Sequence, residues 1–295
     1  MRSLKAKHKK FIFIWSVMLP VAIYYFIVYW QPVLMSIYNS LTNWTIGARN
    51  IAFIGLQNYI RAFQDASVHV AFRNTFLLTI WTVPILLILA VLFAAIVDRL
   101  NLRVRNFYIT VYFLPMVTTM VVISLVWRWI MHPTMGILNY LLSLVGIVGP
   151  AWLANPNTAI IAIAIVIIWR HIGYNAIIIL TGLQNIPTMY YEAASIDGAS
   201  STKQFFRITL PLLQPTLIFV AITSMIGSLT TFTQVFIMTQ GRPGGMTRTV
   251  SMLIYEEGIR HLQMGYSAAI SFILFVVIMT ITALQMKFVN TNWEY

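Results

Sequence analysis

Long apolar stretches constrain this chain most, because each of them is long enough to cross a lipid bilayer. A transmembrane helix needs about 20 mostly apolar residues to cross the hydrocarbon layer. Six stretches meet this requirement, and only residues 158–181 contain basic side chains, those of Arg170 and His171. The six predicted spans are residues 11–30, 74–97, 106–127, 158–181, 212–237 and 262–286. We therefore predict an all-α integral membrane protein with six transmembrane helices.

The charge content argues against a water-soluble domain. Only 9% of the residues are charged, whereas soluble domains carry about 25%, so a polar surface around a core of this size cannot be built. The net charge of +12 could attract nucleic acid, but the basic residues form short clusters between the apolar stretches. We expect contact with membrane lipid and none with nucleic acid. The absence of cysteine excludes disulfides and thiolate metal sites.

The distribution of basic residues predicts the orientation in the membrane. Cytoplasmic loops are enriched in Lys and Arg, and such residues crowd the amino terminus and the short connection around Arg103 between the second and third spans. We therefore predict that both termini are cytoplasmic. The predicted segments are a basic cytoplasmic terminus (1–10), the first helix (11–35), an outer loop segment (36–71), a domain of helices 2 to 6 (72–290) and a cytoplasmic tail (291–295).

The chain lacks the residues of the common enzyme and ion-coupled sites. No Gly-Lys pair is present, so the phosphate-binding loop of many ATPases is absent. None of the seven acidic residues lies inside a predicted span, where proton relays and intramembrane enzymes use them; Asp98 lies at the end of one. We expect no catalytic residue, no metal site and no cofactor bound by this chain. A self-sufficient channel or an ion-driven secondary transporter is the alternative left open.

The connection between the fourth and fifth spans, residues 187–211, has the signals of two short helices. Pro187 suits the first turn of a helix, and Gly198 suits a left-handed helix stop. Ser201 with Gln204 three residues later is typical of a capping box that starts a second helix. The pattern predicts a cytoplasmic docking loop, with an ordinary helical hairpin as the alternative.

The same loop carries a complete family signature. Glu192-Ala193-Ala194, three residues, Gly198, nine residues, Ile208, one residue and Leu210-Pro211 stand at the spacing of the EAA loop. The chain therefore resembles the permease subunits of binding-protein-dependent ABC importers. Residues 53–59, 182–187, 191–199 and 239–244 resemble the carbohydrate-uptake branch, the maltose and glycerol-phosphate type. Arg242 departs from this pattern, because it replaces a common glycine of a Gly-Gly-Pro turn.

This resemblance implies a type I importer fold, with residues 72–290 as the ABC type-1 transmembrane domain, in the bacterial cytoplasmic (inner) membrane. The cargo would be an oligosaccharide, a sugar acid or a glycerol-phosphate-like solute that an extracellular or periplasmic solute-binding protein delivers. Implied partners are a second, homologous permease and two ATPase subunits, which would bind the ATP and Mg. The residues that would contact the ATPase are Glu192, Ala193, Ala194, Asp197, Gly198, Ile208, Leu210 and Pro211.

Polar residues inside two spans are candidates for the substrate pathway. In the fourth span Arg170 and Tyr174 share a helix face, with His171 adjacent. In the fifth span a second face carries Ser224, Gly227, Ser228 and Thr231. The resemblance places these helices around the sugar site, although small and hydroxyl residues also mediate helix packing. Arg170 is expected to pair with a partner subunit or to face an anionic substrate, because an unpaired guanidinium is costly in a membrane.

Overall fold

The computed structural model of the chain describes residues 2–48 and 50–287. The predicted tail at 291–295 lies outside these residues, as do the side chains of the predicted basic segment 1–10. In the described part the chain is helical and contains no strand, apart from one isolated bridge between Thr42 and Phe53. The all-α class is therefore confirmed. The chain divides into two compact units, one up to Gln64 together with Ile254–Ile273 and the other covering Asp65–Leu253 and the described residues from Leu274.

The first unit is built on one long amino-terminal helix. Helices α1 (Arg2–Tyr25) and α2 (Gln31–Ser40) are joined without a break by a π-helical turn, Phe26–Trp30. Its apolar side chains from residue 13 onward are largely exposed, as expected for a helix that lipid or a partner subunit covers. The helix extends to Ser40, five residues beyond the predicted boundary, because neither the π-helical turn nor Pro32 interrupts it. Helix α3 (Gln57–Gln64) follows in the predicted outer segment.

The second unit contains the remaining helices in chain order. They are α4 (Ala66–Asp98), α5 (Leu102–Val117), α6 (Met120–Ile130), α7 (Ile137–Leu144), α8 (Pro156–Gln184), α9 (Met189–Ile196), α10 (Ser201–Gln204), α11 (Leu210–Leu212), α12 (Gln214–Leu229), α13 (Thr233–Met238) and, running into the first unit, α14 (Val250–Tyr255). Helix α15 (Met264–Lys287) begins in the first unit and ends in the second. A buried cluster that includes Ala90, Ala94 and Ala176 joins α4 to α8, since small side chains allow close packing of membrane helices.

Four helices in the described part are long and apolar enough to cross a membrane. They are Phe13–Ser40, Ala66–Asp98, Pro156–Gln184 and Met264–Lys287. Two bent pairs, Leu102–Val117 with Met120–Ile130 and Ser201–Leu212 with Gln214–Leu229, raise the total to six if each pair forms one span. The structure thus supports four to six spans, and both the count of six and the cytoplasmic termini stay predictions.

Two predicted spans are broken in the structure, so the prediction of continuous helices was wrong there. The third span bends by 98° at Thr118 and Thr119, which are both extended with ψ near 140°. The predicted fifth span, 212–237, ends as α12 at Leu229 and restarts as α13 at Thr233. Threonine tolerates both helical and extended backbone, and contacts described below hold the two breaks open.

Candidate functional site

The structure brings the seven predicted pathway residues to the wall of one cavity in the second unit. The cavity has a volume of about 340 Å³, and we call it the α8–α12 cavity after the two helices that supply all of these residues except Thr231, which follows α12. They are Arg170, His171, Tyr174, Ser224, Gly227, Ser228 and Thr231. The sequence analysis missed further polar lining residues, namely Thr82, Asn175, Thr223, Thr230, Thr233 and Gln234. The lining contains no Asp or Glu.

Both helix breaks border this cavity. Thr230, Thr231 and Phe232 of the α12–α13 break line it, and so does Met120, the first residue after the break in the third span. Non-helical backbone at membrane depth is tolerated only where protein buries it or where it lines a cavity. Discontinuous helices of this kind form the substrate sites of many transporters. The Thr-Thr-Phe-Thr run at 230–233 permits this break but does not by itself require it.

Arg170 fixes the break in the third span. Its Nη2 donates to the carbonyl oxygens of Met116 and Thr118, both at 3.3 Å, and thus occupies acceptors that the end of α5 leaves free. A cation at a helix carboxyl end is also stabilised by the helix dipole. The sequence predicted that Arg170 pairs with a partner subunit or faces an anionic substrate. It did not predict this contact, because Met116 and Thr118 lie more than 50 residues away in the chain.

His171 completes this arrangement. Its Nδ1 lies 2.8 Å from the carbonyl oxygen of Ile167, which can only accept, so Nδ1 carries the proton. Nε2 is then an acceptor, and Arg170 Nη1 donates to it at 3.3 Å. The imidazole is therefore held between its own helix and the guanidinium. In this arrangement both ring nitrogens of His171 are already hydrogen-bonded within the protein.

The predicted pathway residues of the fifth span differ in their surroundings: one packs against a neighbouring helix, and another faces the open cavity. Ser228 is buried, and its hydroxyl donates to Thr79 Oγ1 at 3.0 Å, so it joins α12 to α4. Gly227 faces open space, because a Cβ added there would meet no atom within 4 Å. Gly173 on α8 is the opposite case, since its added Cβ would lie 2.0 Å from the carbonyl oxygen of Tyr112. Gly173 permits close packing of α8 on α5, whereas Gly227 keeps space in the cavity.

Several polar groups in the cavity wall are available to a ligand. Within the described residues the hydroxyl groups of Tyr174 and Ser224 form no hydrogen bond to another protein group. In the same part of the chain Thr82 Oγ1 and Arg170 Nε are buried without a hydrogen-bond partner. Buried polar atoms usually have a partner, so a bound solute or water is expected beside them.

The loop at 187–211 has the helix stop that the sequence predicts. Gly198 has φ +71°, and the N–H groups of Gly198 and Ala199 donate to the carbonyl oxygens of Ser195 (3.1 Å) and Ala194 (2.9 Å). These two bonds form a Schellman motif, which requires a left-handed residue at the Gly198 position. An added Cβ at Gly198 would meet nothing within 4 Å. Backbone conformation, not packing, therefore accounts for this glycine.

Two details of the loop differ from the prediction. Pro187 precedes α9 instead of occupying its first turn. The cap of α10 is Ser200, whose Oγ accepts from the N–H of Lys203, and not Ser201. The reason is that the Schellman motif ends at Ala199 and leaves Ser200 extended. Gln204 donates to Ser195 Oγ and to the carbonyl oxygen of Ala199, both at 3.1 Å, and so ties α10 to α9.

The loop exposes apolar side chains and charged side chains of both signs. Ile196 at the end of α9 is 88% exposed, and Phe206 is 63% exposed. Of the predicted coupling residues, Glu192, Ala193, Asp197, Gly198 and Pro211 are exposed, while Ala194, Ile208 and Leu210 are half-buried. On the opposite side Tyr191 Oη bonds to the buried Thr209 Oγ1 at 3.0 Å. The loop is thus attached at one side and open at the other.

Comparison with known proteins identifies the family. Residues 71–291 match the binding-protein-dependent transport system inner membrane components. The sulfoquinovosyl glycerol transport system permease protein of Agrobacterium fabrum is 33% identical over 92% of this chain and 89% of its own length. The lactose transport system permease protein of Rhizobium radiobacter is 35% identical over 86% of each chain. This chain therefore belongs to the inner membrane permeases of binding-protein-dependent ABC importers, and the predicted resemblance is confirmed.

A solved structure shares the fold. It is a crystal structure of a bacterial ABC transporter involved in the import of the acidic polysaccharide alginate. The likeness covers 97% of this chain and 99% of that chain, with a TM-score of 0.83 and 20% sequence identity. The predicted importer permease fold is therefore confirmed for nearly the whole chain.

Proposed function

We propose that this chain is one permease subunit of an ATP-driven importer that moves a carbohydrate across the bacterial cytoplasmic membrane. The α8–α12 cavity is the observation that carries the proposal. Hydroxyl and amide groups line it, Tyr174 supplies an aromatic surface for sugar C–H groups, and two helix breaks border it. The permease relatives named for lactose and sulfoquinovosyl glycerol support a sugar as the cargo.

The loop at 187–211 supplies the coupling. We infer that Ile196, Glu192 and Asp197 dock on a separate ATPase subunit, because they form its exposed face while the opposite side is attached to the protein. The Schellman motif at Gly198 and the Gln204 bonds hold this face in one shape. A rigid loop can transmit the movement of the ATPase to the membrane helices.

The remaining partners follow from the family. A related importer has been solved in complex with an alginate pentasaccharide-bound periplasmic protein. For this chain we propose delivery by a solute-binding protein, pairing with a second homologous permease, and two ATPase subunits that bind ATP and Mg. The family consists of transport components, so the chain itself is proposed to have no enzymatic activity.

Purification and reconstitution test this function. The tagged chain, extracted from its native membrane, should co-purify with an ATPase and a second permease. The complex in proteoliposomes should take up labelled sugar only with ATP and the loaded binding protein. Uptake by this chain alone, driven by an ion gradient, would instead support the channel or secondary-transporter alternative.

A further inference from the structure

A second cavity in the same unit lies where the end of α6 meets the loop after α13. Its volume is about 550 Å³, and we call it the α6–α13 cavity. Arg128, His132 and Arg242 line it together with Ala154 and Thr239. It lies beside one end of α13, at Met238, and the α8–α12 cavity lies beside the other end, at Thr233. The sequence analysis had singled out Arg242 as a departure from a glycine turn.

The polar groups of this lining are hydrogen-bond donors. Arg128 and Arg242 are exposed, and within the described residues neither has a carboxylate partner. Nη1 of Arg128 donates to the carbonyl oxygen of Ile237 at 3.3 Å, which leaves its other nitrogens available. His132 Nδ1 accepts from the N–H of Met135 at 3.2 Å, so the neutral ring carries its proton on Nε2, a further donor.

The loop that carries Arg242 is rigid. The N–H of Arg242 donates to the carbonyl oxygen of Thr239 at 3.0 Å, and its own carbonyl oxygen accepts from Thr247 Oγ1 at 2.8 Å. The hydroxyl groups of Thr239 and Thr247, both buried, are 2.8 Å apart. The backbone therefore fixes the Cα of Arg242 at the cavity while the guanidinium extends into open space. The fixed backbone lowers the entropy cost of binding a ligand, and the exposed side chain is ordered only when the ligand binds.

This lining fits an anion better than a neutral sugar. Sugar hydroxyl groups donate as well as accept, and the α6–α13 cavity has no Asp, Glu, Asn or Gln side chain to receive their protons. Ionised carboxylate, sulfonate and phosphate groups accept hydrogen bonds, and a guanidinium group matches each of them in charge and in its forked pair of donors. In the α8–α12 cavity, by contrast, both terminal nitrogens of Arg170 are bonded to helix carbonyls or to His171, which leaves only Nε without a partner among the described residues.

We propose that the α6–α13 cavity binds the carboxylate, sulfonate or phosphate group of an acidic carbohydrate, with Arg128 and Arg242 as its specificity-determining residues. The proposal rests on the function proposed above and narrows its substrate class to anionic sugars. The alternative occupant is an acidic surface of the solute-binding protein, which the experiment below separates from a small anion.

Thiol labelling measures the charge of this cavity without knowledge of the natural sugar. The chain has no cysteine, so Ala154→Cys places a single exposed thiol of this chain in the lining. The purified importer complex is treated with an anionic sulfonatoethyl or a cationic trimethylammonioethyl methanethiosulfonate, and the mass shift of this chain is followed. The anionic reagent should react faster, and Arg128→Gln or Arg242→Gln should each lower the anionic-to-cationic rate ratio roughly fivefold.

Matched variants separate charge from folding. Arg128→Lys and Arg242→Lys should keep the ratio, because they keep the charge. Arg103→Gln removes the same charge from an exposed position that does not line the cavity and should leave the ratio unchanged. Glucuronate should slow labelling of the thiol at a concentration at which glucose, the neutral counterpart, does not.

Three results would overturn the proposal. The first is an anionic-to-cationic rate ratio that neither glutamine variant changes. The second is equal protection of the thiol from labelling by glucuronate and by glucose. The third is protection of the thiol by unliganded binding protein but not by glucuronate. The last result would assign the two arginines to protein docking. The importer function itself is tested by a separate measurement, the stimulation of ATP hydrolysis by loaded binding protein. If that stimulation is absent, the proposed function fails, but the labelling ratios still report the charge of the cavity.

Discussion

Arg170 Nη2 lies 3.3 Å from the carbonyl oxygen of Thr118, the residue at which the third span breaks. The same nitrogen reaches Met116 in the last turn of α5. A side chain of α8 thus satisfies backbone acceptors that the bent helix of the predicted third span leaves unbonded. This contact gives Arg170 a role in shaping the α8–α12 cavity before any substrate enters.

Replacement of Arg170 by Met should therefore impair every substrate alike. Loss of these two hydrogen bonds costs about 1–3 kcal/mol, and we expect a lower melting temperature of the complex and slower uptake of acidic and neutral sugars. Arg170→Lys keeps the charge but not the forked geometry and should restore only part of the stability. Loss confined to acidic sugars, at unchanged stability, would show that Arg170 contacts the substrate instead.

Two glycines should respond in opposite ways to the same substitution. Gly173→Ala forces a methyl group against the backbone of Tyr112 and should destabilise the α5–α8 contact by about 3 kcal/mol or more. Gly227→Ala adds the same methyl group to open space inside α12 and should raise stability by about 0.5–1 kcal/mol, because alanine favours the helix. Thermal unfolding of the two purified variants checks this, and equal melting temperatures would contradict the packing assigned to Gly173.

A larger side chain at Gly227 should block transport. Gly227→Phe fills part of a cavity of about 340 Å³, so we expect uptake to fall at least tenfold while the complex still assembles. Gly227→Ala is the control and should retain most uptake. Full transport by the phenylalanine variant would remove the α8–α12 cavity from the pathway.

Gly198 should tolerate only residues that accept a left-handed backbone. Gly198→Val is strained there by about 1–2 kcal/mol, so we expect a displaced loop and loss of stimulated ATP hydrolysis. Gly198→Asn should keep most activity, because asparagine enters this conformation readily. Membrane insertion of both variants, followed by yield, serves as the control, and equal activity of the two would contradict the role of the Schellman motif.

Local signals in the sequence predicted much of the fold. The length and low charge of the apolar stretches predicted the long helices, and a single glycine at the right spacing predicted the stop at Gly198. These features depend on neighbouring residues only. The family signature likewise rests on residues within one loop.

The helix breaks could not be predicted with the same certainty. Threonine fits a helix or an extended segment, and distant contacts decide between them, such as Arg170 with Thr118 and Thr249 Oγ1 with the carbonyl oxygen of Thr231 at 2.8 Å. The α6–α13 cavity was missed for the same reason. Arg128 and Arg242 lie more than 100 residues apart in the chain, and only the fold brings both to the wall of one cavity.

ATP hydrolysis by the reconstituted complex tests the central claim, that this chain couples to a separate ATPase through the loop at 187–211. Ile196 is 88% exposed, so Ile196→Glu should leave folding intact while it removes an apolar contact from the docking face. We predict that binding-protein-stimulated hydrolysis falls at least tenfold, whereas Val148→Glu, at a 96% exposed position outside the loop, leaves it unchanged. Stimulated hydrolysis at the unaltered rate with Ile196→Glu would contradict the account.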